Sequence, residues 1–182
     1  MIVLALLLAQ VEMPAPALPA DLRMRRPWVV SGEAGWNGLA GIGVVVAHRL
    51  SPRATLEAGL GISGEGPKLG LRARYDFFVT PWTPFAGIGF LYGTGDASAG
   101  RDTSSPHPFS YRIGRSPFLQ VTSGVEYQSR GGFCLTLALG YAWLLQQNLT
   151  ILSGAPTDHD LQPLRLTTGG GLVASAAAGF AF

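Results

Sequence analysis

Apolar and polar residues alternate along most of the chain from Trp28 to the C-terminus. A period of two is typical of β-strands, and no stretch sustains the three- and four-residue spacing of an amphipathic helix. The 25 glycines would weaken helices further. The alternation predicts eight strands, at residues 28–36, 39–50, 54–63, 69–79, 84–92, 117–127, 133–145 and 167–182.

The predicted strands and their connections have the dimensions of a membrane barrel. Most strands are 9–13 residues long, which is enough to cross a bilayer at a tilt. Short turns at 51–53, 80–83 and 128–132 follow every second strand, and the long connections are 93–116 and 146–166. Outer-membrane barrels show this alternation of short and long connections, with both termini and the short turns in the periplasm and the longer loops outside. Two outer connections are nevertheless short, and one of them, Asn37-Gly38, predicts a type I′ hairpin turn.

The two faces of the strands differ in the size of their side chains. In strand 133–145 one face carries Phe133, Leu135, Leu137, Leu139, Tyr141, Trp143 and Leu145, and the other carries Cys134, Thr136, Ala138, Gly140 and Ala142. Small residues with a few charges fit the narrow inside of an eight-stranded barrel. A soluble lipocalin-like barrel is disfavoured, because its solvent-facing side would be rich in Lys, Glu and Gln. We therefore predict an all-β fold, an eight-stranded antiparallel up-and-down transmembrane β-barrel.

Aromatic residues cluster near the ends of the predicted strands. Two interfacial girdles are expected of a lipid-exposed barrel. The residues assigned to them are Trp28, Trp36, Trp82, Tyr92, Tyr127 and Trp143.

The same phase places charged residues inside the barrel. They are Glu33, Arg49, Glu57, Arg72, Arg74, Asp76 and Glu126, four acids and three bases. Charges in a narrow lumen are costly unless they are paired, so we predict a salt-bridge network centred on Arg72 and Arg74. A dense network would plug the lumen, whereas one that rearranges would gate a narrow ion path. If either arginine is a plug, its replacement by alanine is expected to raise conductance.

Composition excludes several other classes of protein. Charged residues make up 13% of the chain, against about 25% in soluble domains, and the mean hydropathy is +0.27. No apolar run is long enough for a membrane helix. The arginines are scattered rather than striped, which disfavours nucleic acid as a partner. A single cysteine, Cys134, excludes an internal disulfide and is expected to be a small wall residue.

The N-terminal segment has the pattern of a secretory signal. An apolar stretch at 2–9 is followed by Ala15-Pro16-Ala17, a small-residue cleavage pattern. We predict a signal peptide at 1–20, a polar periplasmic lead-in at 21–27, and the outer-membrane barrel domain at 28–182.

The last strand carries the motif on which a family resemblance rests. Leu172, Ala174, Ala176, Ala178, Phe180 and Phe182 alternate up to a terminal aromatic residue. With the strand count and the loop parity, the chain resembles the small eight-stranded barrels of Gram-negative outer membranes, the OmpA-, OmpX- and OmpW-like group. The resemblance implies that Phe180 and Phe182 form the signal for the barrel-assembly machinery, and that the partners are outer-membrane lipid and lipopolysaccharide. It lies in architecture and this motif, over residues 28–182.

Candidate catalytic and metal-binding residues are sparse. Lipid A deacylases of such barrels place His and Ser two apart on one strand, whereas here His48 and Ser51 are three apart at a turn. Asp158-His159-Asp160 is a weak metal candidate, and we expect no cofactor. Arg101, Arg112 and Arg115 could contact lipid phosphates. The hypothesis is a non-enzymatic, monomeric barrel with a structural or surface-interaction role through its long outer loops. A narrow pore is the first alternative and a lipid A-modifying enzyme the second.

Overall fold

The structure is a computed structural model that describes residues 20–95, 100–103, 108–146 and 148–182. Nearly all of the predicted signal peptide, at 1–20, lies outside these residues. The helices are α1 (Ala20–Arg25) and α2 (Asp158–Thr168). The strands are β1 (Trp28–Trp36), β2 (Ile42–Arg49), β3 (Ala54–Ser63), β4 (Gly66–Asp76), β5 (Trp82–Gly93), β6 (Gly100–Asp102), β7 (Phe109–Ile113), β8 (Ser116–Gln128), β9 (Phe133–Leu144), β10 (Leu149–Ser153) and β11 (Gly171–Ala181). Within the described ranges no helix has the length and hydrophobicity to cross a bilayer.

Eight of the strands form a closed barrel. Each pairs antiparallel with its neighbours in the order β1-β2-β3-β4-β5-β8-β9-β11, and β11 pairs with β1. The backbone of Trp28 closes this seam, because its N–H donates to the Phe182 carbonyl at 3.2 Å and its carbonyl accepts from the Phe182 N–H at 2.9 Å. The predicted eight-stranded up-and-down barrel is confirmed.

The two ends of the barrel are built differently. The terminal end is where β1 begins and β11 ends, and it also holds the short connections 50–53, 77–81 and 129–132. The loop end is the opposite one, and its connections are 37–41, 64–65, 94–115 and 145–170. The long connections therefore share one end, as their alternation along the sequence predicts.

The barrel wall is apolar outside and charged inside. Leu139 and Leu172 on the outer face are 66% and 74% exposed, whereas Arg74 on the inner face is only 4% exposed. A water-soluble barrel has the opposite distribution, because leucine is stabilised by burial and charge by hydration. The outer wall thus suits contact with hydrocarbon.

The long connections contain a second sheet that the alternation did not predict. β6, β7 and β10 pair in the order β10-β7-β6, and α2 follows them. Thr157 caps α2 through a capping box with Asp160. Residues 93–116 and 146–166, expected to be solvated loops, therefore include an ordered structure that we call the cap sheet, formed by β6, β7 and β10.

Three of the predicted strands are wrong by three or more residues at an end. β2 begins at Ile42 rather than 39, β4 spans Gly66–Asp76 rather than 69–79, and α2 occupies residues up to Thr168, so β11 begins only at Gly171. Where a strand starts depends on its partner's register, and Ser63 pairs with Gly66 across a two-residue turn.

The connection 37–41 is also not the predicted type I′ turn. Asn37 has φ of 52°, but the next positive φ is 72° at Gly41, so the chain does not turn tightly at Gly38. Instead it bends inward and places Leu39 and Ala40 in the lumen, where both are fully buried. We call residues 37–41 the inserted turn.

The inserted turn needs glycine on the wall opposite it. A Cβ on Gly70 would lie 2.7 Å from Leu39 Cδ1 and would also strike the Leu39 carbonyl, whereas a Cβ on Gly32 meets nothing within 4 Å. Gly70 therefore provides the space that Leu39 fills.

We expect Gly70→Ala to destabilise the barrel by about 1–3 kcal/mol, because the added methyl overpacks the lumen. The temperature at which the folded band converts to the unfolded band on a gel should fall. Gly32→Ala, on the outer face of β1, is the control and should leave that temperature unchanged. Equal temperatures for the two variants would show that the turn is not packed as described.

Candidate functional site in the barrel lumen

The terminal half of the lumen is filled by a charged layer. Arg72, Arg74 and Asp76 project inward from β4, because alternate residues of a strand share a face. Glu57 on β3 is the register partner of Arg72, and Glu126 projects from β8 on the far wall. Four strands in the barrel therefore contribute to this layer, with Arg49 of β2 completing it.

Arg74 is the hub of the charged layer. Its guanidinium lies 3.0 Å from Glu57 Oε1 and 3.1 Å from Asp76 Oδ1, and it also pairs with Glu126 Oε2. Arg72 pairs with the second oxygen of Glu57 through its Nε. Each carboxylate thus faces more than one cation or shares a cation with a neighbour, which offsets the desolvation of these buried charges.

Glu126 receives cations from three directions. Besides Arg74, Arg49 Nη2 donates to Glu126 Oε1 at 3.1 Å. The third cation is Arg23, whose Nη2 lies 2.5 Å from the same oxygen. Six of the seven predicted lumen residues are therefore brought into one ion-pair network, which also includes a residue that the strand pattern placed outside the barrel.

Arg23 enters the lumen from α1, in the segment expected to be a periplasmic lead-in. Its side chain is fully buried. Periodicity could not place it, since it is on no strand. The charge count carried the only available signal: four acids and three bases on the inner wall leave one negative charge unmatched, and Arg23 matches it.

Glu33 has a different role from the other predicted lumen residues. Its Oε1 accepts a hydrogen bond from the Ala40 amide at 3.1 Å, so it holds the inserted turn. Gln120 Nε2 donates to the Asn37 carbonyl at 2.7 Å, and Asn37 Nδ2 donates to the Leu172 carbonyl at 3.2 Å. The turn is therefore tied to three strands of the barrel wall.

The inserted turn nucleates an apolar layer toward the loop end of the lumen. Leu39 and Ala40 pack with fully or nearly fully buried wall residues, which are Val45, Leu91, Phe118, Ala142 and Val173. The alternation of residues did not predict this layer, because it placed Leu39 in the strand 39–50. We call it the apolar plug.

A small polar pair lies beside the apolar plug at the loop end. Lys68 Nζ is 4.0 Å from Glu65 Oε2 and 5.5 Å from the centre of the Phe118 ring, and both charged side chains are buried. Nearby, buried Asn148 donates to Ser116 Oγ at 2.8 Å and to the Thr168 carbonyl at 2.7 Å. Asn148 therefore links the barrel rim to the end of α2.

The predicted girdle residues lie on two levels. Trp28, Trp82 and Tyr127 are at the terminal end, and Trp82 stacks on Tyr127 with ring centres 4.7 Å apart. Trp36, Tyr92 and Trp143 are at the loop end. Phe180 and Phe182 are exposed on the outer face, where Phe180 meets Phe133 edge-on at 5.8 Å.

The weak catalytic and metal candidates have structural contacts. His48 stacks on Trp28 with ring centres 4.2 Å apart, and Ser51 Oγ accepts from the amides of its own turn. Asp158 pairs with Arg165, and Asp160 caps α2. Over the described ranges, no three His, Cys, Asp or Glu residues are grouped so as to hold a metal. Cys134 is buried in the wall beside Arg49.

Replacing Glu126 with glutamine is expected to destabilise the barrel by about 3–5 kcal/mol, because three buried arginines lose their shared counter-charge. Urea unfolding in lipid vesicles, followed by tryptophan fluorescence, measures this. Asp158→Asn is the matched control: it breaks an exposed pair, so the change should stay below about 1 kcal/mol. A small effect of Glu126→Gln would mean that the charged layer does not carry stability.

Comparison with known proteins identifies the architecture. No protein-family model and no curated protein sequence matches the chain. Among solved structures, it is similar to the crystal structure of the N-terminal β-barrel domain of Pseudomonas aeruginosa OprF, with 16% identity and a TM-score of 0.51 over 86% of this chain and 98% of that chain. At this identity the likeness concerns the fold. The chain has the fold of the small eight-stranded outer-membrane β-barrels, the OmpA-like barrel fold.

Proposed function

We propose that this chain is an outer-membrane β-barrel protein with a closed lumen, and that its outward cap sheet is an interaction surface. In this proposal the terminal end faces the periplasm and the loop end faces the exterior. The protein has no catalytic role and works as a monomer. The observation that carries the proposal is the filling of the lumen by two different layers in series.

The two layers oppose ion passage for different reasons. In the charged layer an ion would have to separate guanidinium and carboxylate groups that already neutralise each other, such as Arg74 and Glu126. In the apolar plug it would have to shed water beside Leu39 and Phe118, neither of which is exposed. Both barriers must be removed before a continuous aqueous path can form.

The outer wall and the connections support the proposed location and orientation. Exposed leucines cover the wall between two levels of aromatic residues, as in lipid-facing barrels. Both long connections lie at the loop end, which is the exterior end of such barrels. Phe180 and Phe182 are accessible on the outer face of β11, where the barrel-assembly machinery could recognise them.

One face of the cap sheet carries two arginines, and the other face carries most of its apolar side chains. The register pairs Arg101 with Ser110 and Arg112 with Thr150, so both arginines lie on one face of the sheet. Phe109, Tyr111 and Ile113 alternate with them and lie on the other face. Both arginines are exposed, and guanidinium groups bind phosphate strongly. We therefore propose lipopolysaccharide phosphates as the partner of this face.

Conductance in a planar bilayer tests the closed lumen. The refolded protein should give no discrete current steps, and Arg74→Ala should also stay silent, because the apolar plug remains in place. This replaces the expectation from the sequence that alanine at Arg72 or Arg74 alone would raise conductance. The double variant Leu39→Ala/Phe118→Ala should also be silent, because the charged layer remains. Only the triple variant, which adds Arg74→Ala to these two substitutions, should conduct ions.

A gel shift must show that each variant has folded before its current is recorded. Reproducible current steps from the unaltered protein would refute the closed lumen and make it a narrow pore. Steps from Arg74→Ala alone would show that the apolar plug is not a barrier.

Arg101→Gln/Arg112→Gln is expected to reduce the stabilisation that lipopolysaccharide confers on the barrel. The unfolding temperature would be measured in vesicles with and without lipopolysaccharide. For the unaltered protein the gain should shrink as salt is raised, because the contacts are ionic. Arg53→Gln/Arg130→Gln, at the terminal end, is the control and should keep the full gain. If lipopolysaccharide raises the unfolding temperature of the Arg101→Gln/Arg112→Gln variant as much as that of the unaltered protein, its phosphates are not the partner of the cap sheet.

A further inference from the structure

Arg23 differs from the other charged residues that the structure describes in the terminal half of the lumen. The others project from strands of the wall, whereas Arg23 reaches in from α1, outside the barrel. Its side chain is fully buried, but the next two residues, Met24 and Arg25, are exposed. Of residues 23–25, whose side chains the structure describes, Arg23 therefore occupies the terminal mouth of the lumen.

The mouth offers an acceptor to each nitrogen of the Arg23 guanidinium. Nε donates to Gln128 Oε1 at 3.3 Å, and Nη1 donates to Asp76 Oδ2 at 3.1 Å and to the Pro52 carbonyl at 3.4 Å. Nη2 donates to Glu126 Oε1 at 2.5 Å. Four oxygens from three different parts of the barrel thus surround one planar group.

The charge count over the described inner wall also favours one added cation. The inner wall contributes the acids Glu33, Glu57, Asp76 and Glu126 but only the bases Arg49, Arg72 and Arg74. Lys68 does not supply the missing charge, because it pairs with Glu65 at the loop end. Over the described lumen as a whole, the wall acids therefore exceed the wall bases by one, and Arg23 supplies the balancing cation. Within the terminal half, it gives Asp76 and Glu126 a further buried partner.

We propose that the terminal mouth of the lumen is a guanidinium-binding site, which Arg23 occupies as a tethered ligand. A free guanidinium compound or an arginine side chain of another chain takes the same place when Arg23 is withdrawn. The site discriminates against ammonium groups, because one ammonium cannot satisfy four acceptors placed around a plane. The binding site exists whether or not the lumen conducts ions.

Hydrogen bonds hold residues 26 and 27 to the barrel, so these two residues need not move when Arg23 leaves the mouth. Arg49 Nη1 donates to the Arg26 carbonyl at 3.1 Å, and the Arg49 amide donates to the Pro27 carbonyl at 2.8 Å. Arg26 Nη1 also donates to the Arg130 carbonyl at 3.2 Å. Residues 26 and 27 are therefore fixed to the barrel rim, so Arg23 can leave the mouth without disturbing β1.

Chemical rescue of Arg23→Ala tests the site in the full-length chain refolded into detergent. The variant should unfold at a temperature lower by about 5 °C or more, because Asp76 and Glu126 each lose a cation. Millimolar methylguanidinium should restore at least half of this loss in a saturable way, and methylammonium at the same concentration should not. The unaltered protein should respond to neither compound, since its site is filled.

The matched control is Arg53→Ala, which removes an exposed arginine from a turn at the same end. It should neither lower the unfolding temperature nor respond to methylguanidinium. Two blocked tripeptides, with a central arginine or a central lysine, separate the two sources of ligand. Rescue by the arginine peptide shows that the site accepts a side chain of another chain, whereas rescue by methylguanidinium alone limits it to small compounds.

Two results would overturn the proposal: an Arg23→Ala variant as stable as the unaltered protein, or equal effects of methylguanidinium and methylammonium. If Arg23→Ala does not refold, the yield of folded protein becomes the measurement. Methylguanidinium should then increase that yield at least twofold over methylammonium, and no increase would refute the site. Arg23→Lys gives a second reading, because lysine should recover only part of the stability lost in Arg23→Ala.

Discussion

Charged side chains inside a narrow barrel have little water around them and must neutralise one another. Glu126 shows how far this constraint extends, because its carboxylate meets arginines from β2, β4 and α1. These contacts cross the lumen and connect strands that are not neighbours in the sheet. The charged layer therefore ties opposite walls of the barrel together, which the ladder of backbone hydrogen bonds between adjacent strands cannot do.

The two halves of the lumen meet the requirement for a filled interior by different means. The terminal half uses long charged side chains, and the last cation comes from outside the strands. The loop-end half uses a piece of backbone, because the inserted turn carries Leu39 and Ala40 inward against Phe118. Glycine on the facing wall, at Gly70, makes room for this turn. A barrel with small wall residues thus becomes solid without large side chains on every strand.

This division has a consequence for function. A lumen filled by two layers supports a role at the membrane surfaces rather than in transport. At one surface the cap sheet presents Arg101 and Arg112 on a common face, and Asn148 anchors its base to the barrel rim. At the other, the mouth holds the Arg23 side chain of the N-terminal segment. In our two proposals, each end of the barrel therefore has its own binding site, for phosphate at the cap sheet and for guanidinium at the mouth.

The alternation of residues was sufficient to predict the strand count and the closed barrel. Because a period of two assigns each residue of a strand to one face, it also predicted which charged side chains point inward. These are Arg49, Glu57, Arg72, Arg74, Asp76 and Glu126. The alternation could not predict where Arg23 or Leu39 lies, since neither belongs to a strand and both positions depend on contacts distant in sequence. The cap sheet was missed for the same reason: β10 pairs with β7 only after the barrel has brought their connections together. Local pattern determined the wall and the charges that line it, and only the closed tertiary structure decided where the inserted turn and Arg23 lie.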